Sequence, residues 1–494
     1  MVKLYFSDFF GCSAKDLAAY GALDVSLVTD LPLFVDPFLI FNSKKPEYRQ
    51  LHEEMIRYIR FLKEVSQTGP LPDGLIKSWF MFTEVKQNWL GYSLTGNNGR
   101  GLGPKFATAL NSNLTTVFRN FGNEQITKGT HIEKLCLIKS GVGRDNISDF
   151  ATNLIKKYLL EYTQTFTQQH IKPNLLKKIN VNKVAFNWKT ATWESEQFLL
   201  PWTGRDYVIL SPEDMLTKDD TWISQSDLIH RFEHIASSVP NEQLRWNLDH
   251  YFRAALPRKQ KDESPTQEEK TKAVVSVLEK FPEILDWYVK EREEDGVTAV
   301  RISKKKVEDT KTLFIDQVSQ LVRNLEAGGF YKPSKDSYES AMERVVFLKK
   351  TIEDNDGYRF FYVDGEPVER EVDLQLIYRL TWFATPYEVD SEVNNGRGPV
   401  DYKISLGSAD KSLVEFKLAN NAKLEQNLEK QVEVYKKANS TDKAIKVIIY
   451  FSKSQLDRVT AILKRLDLDK DESIVLIDAR RDNKVSASKV LGTK

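Results

Sequence analysis

Between residues 399 and 478 the apolar side chains change spacing in an order that leaves few folds open. PVDYKISL and SLVEFKLA are strand-like runs, and LGSADKS between them, with Gly407, suits a hairpin. KLEQNLEKQVEVYKKA then places Leu424, Leu428 and Val432 a helical turn apart. KAIKVIIYFS reads as a strand, SQLDRVTAILKRLDL as a helix and SIVLIDAR as a strand. A period of two marks a strand and a period near 3.6 a helix, so these alternations fix element types as well as their order. Upstream, YRFFYVDGEPV predicts a hairpin turning at Asp364-Gly365, and EREVDLQLIYRLTW predicts a helix. Helices and strands interleaved this way predict an α/β unit over 357–494, a mixed central sheet flanked by helices.

The rest of the chain is of another kind. At about 100–200 residues per domain, 494 residues predict two to four domains. Residues 1–257 read as a larger, mostly helical region with some strands, so the whole chain is α+β. In it, LYFSDFF and DVSLVTDLPLFVDPFLIF are strand-like. YRQLHEEMIRYIRFLKEV is helical, with Leu51, Met55, Ile59 and Leu62 near one face. ISDFATNLIKKYLLEYTQTF predicts a helix capped by Ser148 or Asp149. VAFNWKTATWESEQFLLPW and RDYVILSPEDML carry the aromatic and branched residues of strands, and SQSDLIHRFEHIASSV and QLRWNLDHYFRAAL return to helix. Residues 258–272, RKQKDESPTQEEKTK, have no aliphatic or aromatic side chain to bury and predict a charged linker or loop. Residues 273–356 predict a helical connector.

Composition excludes several classes. The apolar runs fall far short of the ~20 residues a spanning helix needs, so no membrane is expected. MVKLYFSDFFGCSAKDL turns polar too early for a secretory leader, and the expected location is cytoplasmic. Two cysteines, Cys12 and Cys136, cannot build a thiolate metal centre and suggest no disulfide framework. The formal charge of +1 announces no polyanion partner for the chain as a whole. Residues 391–494, however, hold 20 Lys and Arg against 15 Asp and Glu, a lean towards phosphate.

LVEFKLA raises the chemical question, because Glu415 and Lys417 interrupt a segment otherwise built for burial. Two residues apart on a strand, they share a face, opposite Val414, Phe416 and Leu418. Pairing with DYKIS brings Asp401 beside Glu415. An isolated Glu-x-Lys is ordinarily an exposed ion pair worth roughly 0–1 kcal/mol. Two carboxylates and an ammonium at one sheet edge can do more. They suit a hard divalent cation, Mg²⁺ or Mn²⁺, that keeps waters for a substrate phosphate. The lysine can orient the attacking water and stabilise charge on phosphoryl oxygens. The following helix carries Gln431 and Tyr435 one turn apart.

GPVDY followed by LVEFK resembles the motif of the PD-(D/E)XK nuclease superfamily, the restriction-endonuclease-like fold. Here it stands as Pro399, Asp401, Glu415 and Lys417, and Gln431 with Tyr435 resembles the Q-x-x-x-Y element of RecB-type members. The resemblance covers about 357–490. It implies a restriction-endonuclease-like sheet, Mg²⁺ or Mn²⁺ held by Asp401 and Glu415, and cleavage of nucleic acid, in the first place double-stranded DNA. It also implies a further acid from the preceding helix. Glu371 fits that place best, Glu369 is the alternative, and Glu392 is another nearby acid. The pattern departs from the strict motif in one respect, since Val400 separates Pro399 from Asp401.

Other features carry blander readings. GNNGRGLGPK at 96–105 lacks P-loop spacing, and VGRDNISDF at 142–150 reads as the start of a helix. Asp36 with Glu84 and Lys86 mimics a second Asp…Glu-x-Lys, with no matching glutamine–tyrosine helix after it. His230 and His234 are one turn apart with no third ligand in view. The expected function is therefore a metal-dependent deoxyribonuclease, a restriction or antiviral defence effector controlled by its N-terminal region. Two rival expectations stand beside it: an inactive nuclease-fold scaffold that binds nucleic acid, and a sensor whose N-terminal region binds a ligand or regulatory partner. Cutting both strands favours a homo-oligomer.

Overall fold

The computed structural model describes residues 3–91, 101–116, 121–137, 144–218, 220–257, 266–319, 323, 336–354, 358, 362–363, 366–367, 375, 378–379, 381–382, 385, 387–394, 399–407, 410–431 and 443–483. The N-terminal region is organised around helix α1 (Pro46–Gln67). Leu51, Met55, Ile59 and Leu62 are all buried, together with Tyr48, Ile56 and Tyr58. Each such side chain contributes about 1.5–3 kcal/mol. Pro46 in the first turn donates no hydrogen bond and needs none there.

Two helices replace the single one expected after residue 147. α2 (Arg144–Leu154) and α3 (Lys156–His170) meet at Ile155. Ser148 is thus inside a helix, and its hydroxyl accepts the Val35 amide at 3.0 Å instead of capping a helix start. A hairpin of β1 (Leu176–Asn187) and β2 (Thr192–Pro201) follows. RDYVILSPEDML reaches a strand only at its last residue, in the two-residue strand Leu216–Thr217 that pairs with Phe34–Val35.

Two strand-like runs near the N-terminus are helical instead. Phe6–Phe10 forms a short helix because the Asp8 carboxylate accepts the amides of Leu4 and Tyr5, both at 3.1 Å. In VDPFLIF, Asp36 caps helix Pro37–Phe41 by accepting the Phe38 amide at 3.0 Å. Asp36 also accepts the Trp222 amide at 2.9 Å, so the acid that mimicked a second motif is a buried cap.

The N-terminal region ends in α4 (Gln225–Ser238) and α5 (Glu242–Ala255), and the helical connector follows with α6 (Gln267–Lys280), α7 (Ile284–Glu294) and α8 (Gly296–Lys311). α6 begins inside the segment expected to be a linker. Thr266 and Glu269 form a reciprocal capping box, so 267–272 are helix despite their polarity. Residues 258–265 lie outside the described residues.

The C-terminal unit is α/β. Helix α9 (Ser337–Asp354), read in the sequence as connector, packs on its sheet. The strands are β3 (Glu388–Asn394), β4 (Pro399–Leu406), β5 (Asp410–Leu418), β6 (Ala444–Tyr450) and β7 (Ile474–Asp478). They lie in the order β7-β6-β5-β4-β3, antiparallel from β3 to β5 and parallel from β5 to β7. Tyr362–Val363 pairs with Glu366–Pro367, the hairpin expected around residues 364 and 365.

Alternation along the strands divides the sheet into two faces. Tyr402, Val414, Phe416, Val447 and Ile449 are buried in the core that includes Val345 and Leu348 of α9. On the other face, Ile448 and Tyr450 pack with Leu424, Leu428 and with Val459 and Ile462 of α10 (Lys453–Arg465). The β5–β6 crossover contains a helical turn, Leu424–Gln426, and a π-turn, Asn427–Gln431. Helices therefore cover both faces, and the second face is the one that carries Glu415 and Lys417.

Candidate active site

The strand register sets the site. Tyr402 pairs with Val414 at the end of the β4–β5 ladder, so Asp401 and Glu415 are the next residues across it, on the same face. Beyond this point Phe416 has no partner in β4, and side chains take over its backbone groups. The Asp401 carboxylate accepts the Phe416 amide at 2.6 Å. The Lys417 ammonium donates to the Phe416 carbonyl at 3.0 Å and lies 3.1 Å from Glu415 Oε1. Asp401, Glu415 and Lys417 are thus brought together around one residue, Phe416.

The site is largely buried. The Glu415 side chain is 10% exposed and that of Lys417 17%. Burial raises the Glu415 pKa, and the nearby charge of Asp401 raises it further; Lys417 and Lys446 oppose both. Lys446 was not among the expected residues. It sits beside Glu415 in the parallel β5–β6 register and donates to the Leu428 carbonyl at 3.0 Å, in the π-turn. A lysine inside the apolar run KAIKVIIY is its sequence signal, but only the strand register shows which carboxylate it neighbours.

Glu371, its alternative Glu369, and Tyr435 lie outside the described residues, as does the Gln431 side chain. Glu392 falls in β3, and its side chain lies outside the described residues too. Residues 96–100 of the glycine-rich segment are also outside. His230 and His234 are exposed, and His234 lies 3.7 Å from Glu291.

The donor set suits a hard cation. Two carboxylates in one row and the Phe416 carbonyl at the same edge are all oxygen ligands. Among the described residues no group of three or more His, Cys, Asp or Glu is placed to hold a metal. Mg²⁺ needs only one or two carboxylates and fills the rest of its shell with water and substrate. A cation would also remove what disfavours ionised Glu415, its burial beside a second carboxylate.

Residues 12–224 match a domain of unknown function (DUF8370), and residues 337–453 match another (DUF8371). The second match starts at the first residue of α9 and contains Asp401, Glu415, Lys417 and Lys446. No curated protein and no solved structure matches the chain.

Proposed function

We propose that the C-terminal unit is a Mg²⁺- or Mn²⁺-dependent nuclease of the PD-(D/E)XK type that hydrolyses phosphodiester bonds in DNA. The observation that carries this reading is the buried Glu415–Lys417 pair beside Asp401, where the β4–β5 ladder opens. A sheet built only for stability gains little from such a pair, because an apolar pair of similar volume is commonly as stable or more so. A five-stranded mixed sheet, antiparallel from β3 to β5 and parallel from β5 to β7, is compatible with this reading.

Asp401 and Glu415 would hold the metal. When bound, it polarises a phosphoryl oxygen and lowers the pKa of water. Lys417, fixed between Glu415 and the Phe416 carbonyl, orients the attacking water and stabilises charge on the phosphoryl oxygens. In hydrolysis the water oxygen forms a new bond to phosphorus, one P–O ester bond breaks, and the departing oxygen gains a proton. Gln431, Tyr435 and Glu371 support the site in this reading, and the N-terminal region controls it, as in a restriction or antiviral defence effector acting as a homo-oligomer.

A second reading has its own observation. Asp401 and Lys417 satisfy the Phe416 amide and carbonyl, a structural task that needs no metal. That favours a nuclease-fold scaffold that binds nucleic acid without cutting it. Calorimetric titration with Mn²⁺ separates the two. The nuclease reading expects saturable binding that Asp401→Asn and Glu415→Gln abolish, with metal-dependent DNA products. The scaffold reading expects DNA binding and no metal affinity at these residues.

A further inference from the structure

A second site lies in the N-terminal region. One flank of α1 and the loop 121–130 enclose a cavity of about 490 Å³, within the range of small-molecule sites. Arg49, His52, Glu53 and Arg60 line it from the helix, and Lys128 lines it from the loop. Phe41 and the buried His52 meet at 5.0 Å between ring centres, their planes inclined at 55°, and give the cavity an aromatic wall.

The charges do not cancel. Glu124 also lines the cavity, but its oxygens are occupied. It accepts Lys134 at 3.0 Å, the Gly122 amide at 2.9 Å and the Thr130 hydroxyl at 2.5 Å. Arg60 is held to the Gly122 carbonyl at 2.7 Å. Arg49 and Lys128 are exposed, and among the described residues neither has an ion-pair partner. Arg49, Arg60 and Lys128 thus line the space with two acids, Glu53 and Glu124, the second of them paired with Lys134 at 3.0 Å.

The wall is fitted closely. A Cβ on Gly122 would come within 2.4 Å of Arg60, and one on Gly129 within 2.5 Å of Phe41. The loop is anchored from behind, where Glu293 of α7 accepts the amides of Lys128 and Gly129 at 2.6 and 2.9 Å and contacts His131 at 2.9 Å. Lys128 is thus carried on a backbone that is pinned at both its own amide and the next.

We propose that this cavity binds a small phosphate ester of mononucleotide size, with its phosphoryl groups on Arg49, Arg60 and Lys128 and its apolar or ring portion against the Phe41 and His52 wall. Arginine forks and a lysine ammonium are the side chains that recognise phosphate oxygens. The proposal does not rest on the nuclease reading.

The test uses the full chain in EDTA, so that no metal at the C-terminal unit contributes. ATP, pyrophosphate, adenosine and a short DNA duplex are titrated by calorimetry into wild type, Arg49→Glu and Lys128→Glu. Unliganded melting temperatures first establish that the variants fold. The expected result is saturable binding of ATP and pyrophosphate, weakened at least about tenfold by either charge reversal, with no binding of adenosine alone. No saturable binding of ATP or pyrophosphate to wild type overturns the proposal. So does binding that both variants retain, or a charge-reversal effect seen with duplex DNA and not with ATP.

Discussion

Removing Lys417 separates what the Glu415–Lys417 pair does for stability from what it does for chemistry. Lys417→Met leaves a carboxylate, whose side chain is 10% exposed, without its ammonium 3.1 Å away. Breaking a fully buried pair costs about 3–5 kcal/mol. Here Lys446 remains beside Glu415 and the site is not fully closed, so the expected loss at pH 8 is about 2–3 kcal/mol. For a unit of this size that lowers the melting temperature by about 5–10 °C. The sign with pH follows from Glu415, whose folded pKa is raised above its ordinary value of 4.5. Between those two values the folded state binds more protons than the unfolded state, so stability falls as pH rises through that window. Without Lys417 the folded pKa moves higher still, and the window widens upward. The loss should therefore be smallest below pH 4.5 and fully developed above the new pKa. The double variant Glu415→Gln/Lys417→Met removes both charges at similar volume and should melt within about 1 kcal/mol of wild type, or above it, while cutting nothing. Thermal unfolding from pH 4 to pH 8 measures all of this. A pH-independent loss in the single variant, or a double variant as unstable as the single one, would refute the reasoning.

Other perturbations test neighbouring parts. Asp401→Asn keeps an oxygen for the Phe416 amide and should unfold within about 1 kcal/mol of wild type in urea, whereas Asp401→Ala should lose about 1–3 kcal/mol. Lys446→Met removes a charge that lowers the Glu415 pKa, so the pH profile of Mn²⁺ binding should move to higher pH; an unmoved profile would remove Lys446 from the site. Burial, with His131 nearby, pushes His52 down to about 3, so between about pH 3 and 6.5 the unfolded chain binds the extra proton. Stability should fall on acidification below pH 6.5, and His52→Gln should flatten that fall in thermal melts.

The sheet was legible because its strands are short apolar runs that alternate against turn residues. The Asp401–Glu415 meeting followed from a hairpin-length connection. The misread segments failed for a local reason. LYFSDFF and VDPFLIF are rich in aromatic and branched residues, yet Asp8 and Asp36 accept amides that commit each to a helical turn. Pro37 after Asp36 was a readable start signal that strand-like composition outweighed. The placement of Lys446 beside Glu415 was not readable, because a parallel register is set by packing across a crossover and not by local spacing. The cavity beside α1 was equally hidden, since Arg49, Arg60 and Lys128 meet only when loop 121–130 folds onto the helix.

The most direct test of the central claim is cleavage of supercoiled circular DNA by purified wild type and Glu415→Gln, each with Mg²⁺, Mn²⁺ or EDTA. The account predicts nicked or linear product from wild type with metal, none in EDTA, and none from the variant at matched folding. Equal product from wild type and variant, or product that persists in EDTA, would contradict it.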